Sequence, residues 1–533
     1  MTALTDRVDG LFAEWDRPDS PGCALGIVQD GRLVYKRGYG MANLEHAIPI
    51  SSRTVFRIGS TSKQFTAACI ALLAEQGKLS LDDDIRKYLP EMPEYERPIT
   101  IRHLIHHTSG LRDYLTLMDL AGVRDDDYYT DEEVIAMLAR QKALNFAPGD
   151  EYLYSNSGYF LLAAIVKRVS RQSLREFAEE QILNPLGMEN THFHDDHTMV
   201  VKHRAAGYSP REEGGYRIDM TTLDVVGDGG VFTTVEDLFL WDQNFYEDRL
   251  GGKGLIARLL TPGRLNSGEP LDYAFGLMVS DYKGVPTISH GGTFVGFRAE
   301  MIRFPEQSLS VICLANLSSI NPSRLARQVA DIYLADAFDA EEEAAETRFI
   351  KLVEGALEDK SGVHWSADSG MVVALCLQDG QLRAEVFGEC IRLAPVSATD
   401  FVSADALFDV TFKFDRQGQG EPWLAHVRVD DGKPEALQAV EVVAPTADQL
   451  AAYEGAYDSD ELRVTYRFVL QDGELFLRHR NAPRDPLKPL LDDVFRVGRL
   501  AIHFARDGQG RVSGFTVQAG RVRNIRFVRR EAG

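Results

Sequence analysis

The sequence predicts an α+β protein: one antiparallel sheet flanked by helices, followed by two small all-β barrels. Three observations carry this expectation. Strand signals stand at both ends of the first 335 or so residues, with helical patterns between them. Beyond the acidic run Asp339-Ala-Glu-Glu-Glu-Ala-Ala-Glu346, helical periodicity fades and short alternating segments separated by Asp-Gly and Gln-Gly turns take over. Within that tail, three blocks recur in the same order at an offset of roughly 90 residues.

In chain order, an amphipathic helix comes first. Residues 24–28 and 32–37 then flank Asp30-Gly31, a pair suited to a tight hairpin turn. Residues 274–280, 287–289, 297–304 and 309–314 read as further antiparallel strands, and a helix over 322–337 closes this part. In the tail, Leu377-Gln-Asp-Gly-Gln-Leu382 matches Leu470-Gln-Asp-Gly-Glu-Leu475. LAPVSATDFV (393–402) parallels LKPLLDDVFRV (487–497), and VTFKFDRQGQG (410–420) parallels LAIHFARDGQG (500–510). Two copies of one small β unit follow, and closure into barrels removes their exposed edges. The expected domains are 1–338, 339–445 (acidic linker and first barrel) and 446–533 (second barrel), in keeping with a chain of 533 residues, too long for one core.

Composition narrows the function. Hydrophobic residues at 44% and charged residues at 26% fit a soluble globular protein, and a net charge of −22 argues against nucleic acid or anionic lipid as partner. The N-terminus lacks a basic region and a long apolar run, so neither a secretory signal nor a membrane span is expected. Five scattered cysteines (Cys23, Cys69, Cys313, Cys376, Cys390) read as buried free thiols, which suits a cytoplasmic protein. No cofactor is implied. His192, His194, Asp195, Asp196 and His197 cluster without regular ligand spacing, so no metal site is expected there.

The candidate chemistry begins at Ser60-Thr61-Ser62-Lys63, which opens a helical pattern with Phe65, Ala68, Cys69, Leu72 and Leu73 on one face and Gly77 as its C-terminal stop. A spacing of three places Ser60 and Lys63 one turn apart on the same side. A serine hydroxyl needs a neighbouring base, and a lysine desolvated among apolar groups can serve as one. The pattern alone is weak: Ser280-Asp281-Tyr282-Lys283 repeats it where a strand ends. Tyr154-Ser155-Asn156 adds a phenol able to relay a proton and an amide able to grip a substrate, on a loop feeding a helix over 157–169. His290-Gly291-Gly292-Thr293, after the strand at 287–289, adds paired glycines that let a ligand approach backbone N–H groups.

In this order and spacing, Ser-x-x-Lys, Tyr-x-Asn and His-x-Gly resemble the serine β-lactamase and penicillin-binding-protein superfamily, nearest its class C-like branch of esterases, D-stereospecific peptidases and D-aminopeptidases. LIHHTSGL (104–111), PLGM (185–188) and GGVFTTVED (229–237) before Trp241 resemble that branch too. The resemblance implies a β-lactamase/transpeptidase-like fold, with Ser60 as acylated nucleophile, Lys63 as its base, Tyr154 as proton shuttle and Asn156 binding the substrate carbonyl. It places His290 where many relatives carry lysine, which disfavours transpeptidase or potent β-lactamase activity. It also implies an oxyanion hole from the N–H groups of Ser60 and Thr293, beside Gly292.

With two lipocalin-like barrels appended, the chain resembles D-aminopeptidases in which a loop of the last barrel meets the substrate's free amine. Here that loop is residues 480–487, with Asp485 its carboxylate. The expected activity is a serine hydrolase acting through an acyl-enzyme on small amides or esters, releasing N-terminal D-amino acids. A carboxylesterase with weak β-lactam turnover is one alternative, and a ligand-binding protein with an idle hydrolase domain another. The expected partner is a small molecule or short peptide substrate, with a homodimer left open.

Overall fold

The structure, a computed structural model, describes residues 2–124, 126–338, 350, 352, 354–386, 389–404, 410–416, 418, 422–429, 433–479 and 486–531. The chain forms two compact units. The first comprises Met1–Leu111, Asp125–Ala139 and Phe146–Asp339; the second comprises Arg112–Arg124, Arg140–Asn145 and Ala340–Gly533.

The first unit is built on a six-stranded antiparallel sheet. Its strands are β1 (Cys23–Gln29), β2 (Arg32–Tyr39), β3 (Met278–Tyr282), β4 (Val285–Phe294), β5 (Phe297–Phe304) and β6 (Leu309–Ala315), in the order β3-β4-β5-β6-β1-β2. The two halves of the sequence meet where β1 pairs with β6. Asp30 and Gly31 turn the first hairpin with φ of 50° and 72°, the left-handed pair that a tight turn between twisted strands requires. On one face, Leu25, Ile27, Ile302, Phe304 and Val311 pack with Val8 and Phe12 of α1 (Thr2–Phe12) and with Leu325 and Val329 of α5 (Pro322–Tyr333). On the other lies α4 (Val235–Glu247). A Cβ on Gly26 would come 2.4 Å from Val235, and Arg303 of β5 pairs with Asp242 at 2.8 Å in full burial. Helices α2 (Lys63–Glu75) and α3 (Asn156–Ser170) pack on one another and carry the candidate site.

Two strands differ from expectation. The segment expected as a strand over 274–280 is mostly a buried turn, and β3 starts only at Met278. Gly276 has φ of 72° there, and a Cβ on it would lie 2.5 Å from the Gln64 nitrogen, so the chain bends to pass the start of α2. Strand β4 does not stop at Ser289 but runs on through His290, Gly291, Gly292 and Thr293. The last helix ends at Tyr333, short of residue 337, and the acidic run from Asp339 lies outside the described residues.

The second unit contains two eight-stranded antiparallel sheets; the first follows chain order, and in the second the first strand pairs with the last. The first, from Gly362–Trp365 to Glu435–Val440, is a closed barrel with Val373, Leu375, Leu382, Phe412, Phe414 and Val427 in its core. The second runs from Gly455–Ser459 to Val522–Arg529. Its edge strands, Glu474–Arg478 and Lys488–Leu491, meet through a bridge between Phe476 and Pro486 and a 2.7 Å bond from the Leu487 N–H to the Leu475 carbonyl.

The three repeated blocks occupy matching places. Asp379-Gly380 and Asp472-Gly473 turn the hairpin between the second and third strands of each sheet, all four with positive φ. The later blocks cover the fourth to sixth strands of each. Cys376 and Cys390 are exposed, contrary to the expectation of burial; in the strand of the first, Val373 and Leu375 point inward and Cys376 does not. Cys23, Cys69 and Cys313 are buried free thiols. Among the described residues, no helix is long and apolar enough to cross a membrane.

Candidate active site

Ser60 sits in a single 3-10 turn, Gly59–Ser62, that runs directly into α2. The turn is stitched to its surroundings by side chains. Thr61 Oγ1 donates to the His290 carbonyl at 3.1 Å, the Val231 N–H donates to Ser62 Oγ at 3.0 Å, and Gln64 accepts from Trp241 Nε1 at 2.5 Å. Ser60 itself is only partly covered, whereas Gly59, Thr61, Ser62 and Lys63 are buried.

Lys63 is the first residue of α2 and has no exposed surface. Its Nζ lies 3.0 Å from Ser60 Oγ, 2.9 Å from Asn156 Oδ1 and 2.6 Å from the Asp228 carbonyl oxygen. The rings of Tyr154 and Tyr159 stand 4.8 and 5.6 Å away. Asn156 opens α3, one residue earlier than the sequence suggests, so its side chain comes from a helix N-terminus rather than from the loop.

Tyr154 packs against His107, with ring centroids 4.2 Å apart and the planes tilted by 36°, and His107 Nδ1 accepts from the Ser155 N–H at 3.2 Å. His290 projects from β4 with its ring 6.3 Å from that of Tyr154. Its Nδ1 lies 2.6 Å from the Gly291 carbonyl, which can only accept, so Nδ1 carries the proton and Nε2 accepts from the Tyr273 hydroxyl at 2.9 Å. Burial, with the nearby Lys63 charge, pushes the His290 pKa down to about 3 against a smaller opposing bond to Gly291, so the imidazole is neutral at physiological pH. Burial likewise raises the Tyr273 and Tyr159 phenols well above their ordinary range, which keeps both protonated.

Two glycines let the turn and the strand meet backbone to backbone. A Cβ on Gly292 would lie 1.9 Å from the Ile58 carbonyl oxygen, and one on Gly59 would lie 2.7 Å from the Thr293 nitrogen. Strand β3 pairs with β4 only as far as Ser289, which leaves the stretch from His290 onward to face this turn. The chain segments of Ser60 and Thr293 are thereby neighbours. Among the expected site residues, Ser60, Lys63, Tyr154, Asn156, His290, Gly292 and Thr293 therefore converge, while Asp485 lies outside the described residues.

The sequence profile of the β-lactamase family matches residues 8–335, well over half of the chain. The chain belongs to the β-lactamase family. As a member of it, the protein is a serine hydrolase. The chain is 31% identical to a D-aminopeptidase of Gluconobacter oxydans over 296 residues, and this match spans 56% of each chain. A D-aminopeptidase of Brucella anthropi is 26% identical over 529 residues, 96% of this chain and 95% of that one. An octameric penicillin-binding protein homologue from Pyrococcus abyssi has the same fold, with a TM-score of 0.57 at 24% identity over 82% of this chain and 99% of that one.

Several residues at the site escaped the sequence. Asp228 contributes a backbone oxygen, and its loop is held by a 2.7 Å bond from Thr66 Oγ1 to the Gly227 carbonyl. The glycines at 227, 229 and 230 were the signal for it. His107 lay within the quoted LIHHTSGL stretch, but its contact with Tyr154 needs the fold; no local pattern marks Tyr159 or Tyr273.

The polar cluster after Thr191 is a set of separate pairs. His192 Nε2 and His194 Nδ1 are 3.2 Å apart, Asp195 pairs with Arg175 at 3.3 Å, and His197 pairs with Asp224 at 2.9 Å. Among the described residues, no group of three or more His, Cys, Asp or Glu is placed to hold a metal ion.

Proposed function

We propose that this β-lactamase-family chain releases N-terminal D-amino acids from small amides and short peptides through an acyl-enzyme on Ser60. The observation that carries the chemistry is the placement of Lys63 Nζ. Two of its three neighbours, Asn156 Oδ1 and the Asp228 carbonyl, can only accept hydrogen bonds, while the third, the Ser60 hydroxyl, can donate. A proton leaving the hydroxyl therefore has a nitrogen 3.0 Å away to receive it, on an amine held in place by two carbonyl oxygens.

In this reading, Lys63 takes the proton as Ser60 Oγ attacks the substrate carbonyl carbon. The carbonyl electron pair moves onto its oxygen, which the backbone N–H groups of Ser60 and Thr293 stabilise. Asn156 holds the substrate carbonyl through Nδ2, the end of its amide that has hydrogens to donate. The C–N bond then breaks and Tyr154 delivers the proton to the departing amine. Water attacks the resulting ester, the acid leaves, and the proton returns to Ser60. Neutral His290, hydrogen-bonded on both ring nitrogens, offers no cation to a substrate carboxylate. That supports amide and aminoacyl substrates over those gripped by a terminal carboxylate. The D-preference is supported by a D-aminopeptidase relative whose match spans 96% of this chain, barrels included.

The decisive measurement is release of p-nitroaniline from D-alanine p-nitroanilide and from its L-isomer. Cleavage confined to the D-isomer is expected. Hydrolysis of p-nitrophenyl acyl esters without stereochemical preference, together with inert anilides, would replace this reading by a carboxylesterase.

A further inference from the structure

The second unit contains more than the tail of the chain: Arg112–Arg124 and Arg140–Asn145 fold with it. Arg112 is the hub. Its side chain is 1% exposed and its Nη1 donates to Glu461 at 2.7 Å and to Gln141 at 2.9 Å. Nε and Nη2 donate to the carbonyls of Arg523 and Asn524 at 3.0 and 3.1 Å. Glu461 Oε1 also accepts from the Lys142 N–H at 2.7 Å, and the Glu461 carbonyl accepts from Arg140 Nε at 3.3 Å. Asn145 exchanges bonds with the Arg521 carbonyl and the Arg523 N–H, and the Tyr466 hydroxyl caps the carbonyl of Leu120 at 2.8 Å. One buried carboxylate thus ties residue 112 to residue 142, and the backbone carbonyl of the same glutamate holds residue 140.

Both segments rejoin the first unit close in sequence to the site. His107 lies five residues before Arg112, and Tyr154 nine after Asn145. Inside the first unit these two flanks are bonded again: Leu153 N–H to the His107 carbonyl at 3.0 Å, Gly149 N–H to the Thr108 carbonyl at 2.8 Å, and Ser155 N–H to His107 Nδ1. The stretches 107–112 and 140–155 are therefore pinned together at both ends, by backbone bonds near Tyr154 and by the Arg112–Glu461 pair at the other end.

We propose that Arg112 and Glu461 are positioning residues for acylation, holding the two strands of chain that place His107 and Tyr154 beside Lys63. This rests on the hydrolase reading above. Misplacing a proton-relay group by about 1 Å can cost on the order of a hundredfold in rate. The pair touches no reacting atom, so its loss acts on kcat and leaves KM nearly unchanged.

The test uses the full-length protein, with acylation followed by a fluorescent penicillin and turnover by D-alanine p-nitroanilide. Glu461→Ala is expected to slow acylation on the order of ten- to a hundredfold with KM within about threefold of wild type. Glu461→Gln, which keeps an acceptor oxygen for Arg112 and the Lys142 N–H, is expected to recover most of that loss. The paired variant Arg112→Met with Glu461→Leu leaves no buried charge without its partner and guards against simple unfolding; folded by its melting profile, it is expected to remain slow.

A folded paired variant that acylates at the wild-type rate overturns the proposal, as does a Glu461→Ala loss confined to KM. If wild type labels no better than Ser60→Ala, the hydrolase reading itself falls and takes this inference with it. Normal wild-type labelling alongside an equally fast paired variant removes only the inference.

Discussion

Two stretches of the first unit carry a serine three residues before a lysine, and they end in different chemistry. At Ser60 the backbone turns through a 3-10 segment into α2, so the two side chains share a face and Nζ comes 3.0 Å from Oγ. At Ser280 the backbone is the extended strand β3, which ends at Tyr282 and leaves Lys283 in the following turn, so no helical turn aligns the two side chains. Ser280 Oγ lies 3.2 Å from Thr287 Oγ1 across the hairpin, while Lys283, in the turn with φ of 51°, donates to Asp331 at 2.8 Å. One lysine faces hydrogen-bond acceptors that carry no full charge, and the other meets a carboxylate. Lys63 thus stands beside a hydroxyl that can give it a proton, while Lys283 is engaged by the side chain of Asp331 instead.

The sharpest way to break the comparison is to remove each serine. Ser60→Ala is expected to abolish labelling by a fluorescent penicillin or a fluorophosphonate and to lower kcat/KM by about 10⁴-fold or more, whereas Ser280→Ala stays within about twofold. Labelling that survives Ser60→Ala would dissolve the distinction. The lysines come next. Lys63→Ala should slow acylation by about 10³-fold or more with the fold retained, and Tyr154→Phe by about 10²-fold, both read by the rate of label incorporation. Lys283→Ala should leave that rate unchanged.

The comparison also shows what a sequence can reveal. The Ser60 and Ser280 motifs are indistinguishable as strings. Helical periodicity after Lys63 and strand character before Tyr282 separated them, because backbone conformation decides which side chains meet. The Asp-Gly hairpins and the tail repeat were legible for the same reason, as local turn chemistry with a fixed meaning. The course of residues 274–277 was not. Those residues are apolar and buried, which a strand and a buried turn share, and only the passage of α2 against Gly276 forces the bend. The glycine pair at 291 and 292 misled in the opposite direction: it reads as a stop, yet the strand continues because a neighbouring backbone occupies the space of a side chain. Tyr273, His107 and the Asp228 carbonyl belong to the site through long-range packing, which leaves no mark on the residues around them.

A smaller effect concerns pH. Burial and Lys63 hold the folded-state pKa of His290 at about 3, below the ordinary value of 6.5 expected once the chain unfolds. Between these values the unfolded chain binds the proton and the folded one does not, so stability from neutral His290 is full above pH 6.5 and declines as pH falls toward 3. His290→Gln should therefore flatten part of the drop in melting temperature over that window without altering its dependence above pH 7. Other buried histidines, among them His106 and His194 with pKa values lowered by burial to about 4 and 3, supply the slope that remains. A variant whose acid profile overlays that of wild type would show that His290 takes up its proton as readily folded as unfolded.

The smallest expected effect lies at the second motif. The Lys283–Asp331 pair is partly exposed, at 10% and 33%, and such pairs are worth about 1 kcal/mol or less. Lys283 also stands over the rings of Tyr282 and Phe338 at 5.2 and 5.3 Å, so Lys283→Ala should lower stability by about 1 kcal/mol in chemical denaturation. Lys283→Gly loses the same contacts but relieves a positive φ that glycine adopts without strain, so it should cost less than the alanine variant. That order, with unchanged acylation in both, marks the residue as a turn position held by an ion pair. A tenfold loss of acylation in either variant would mean that the second serine–lysine pair takes part in the chemistry assigned to the first.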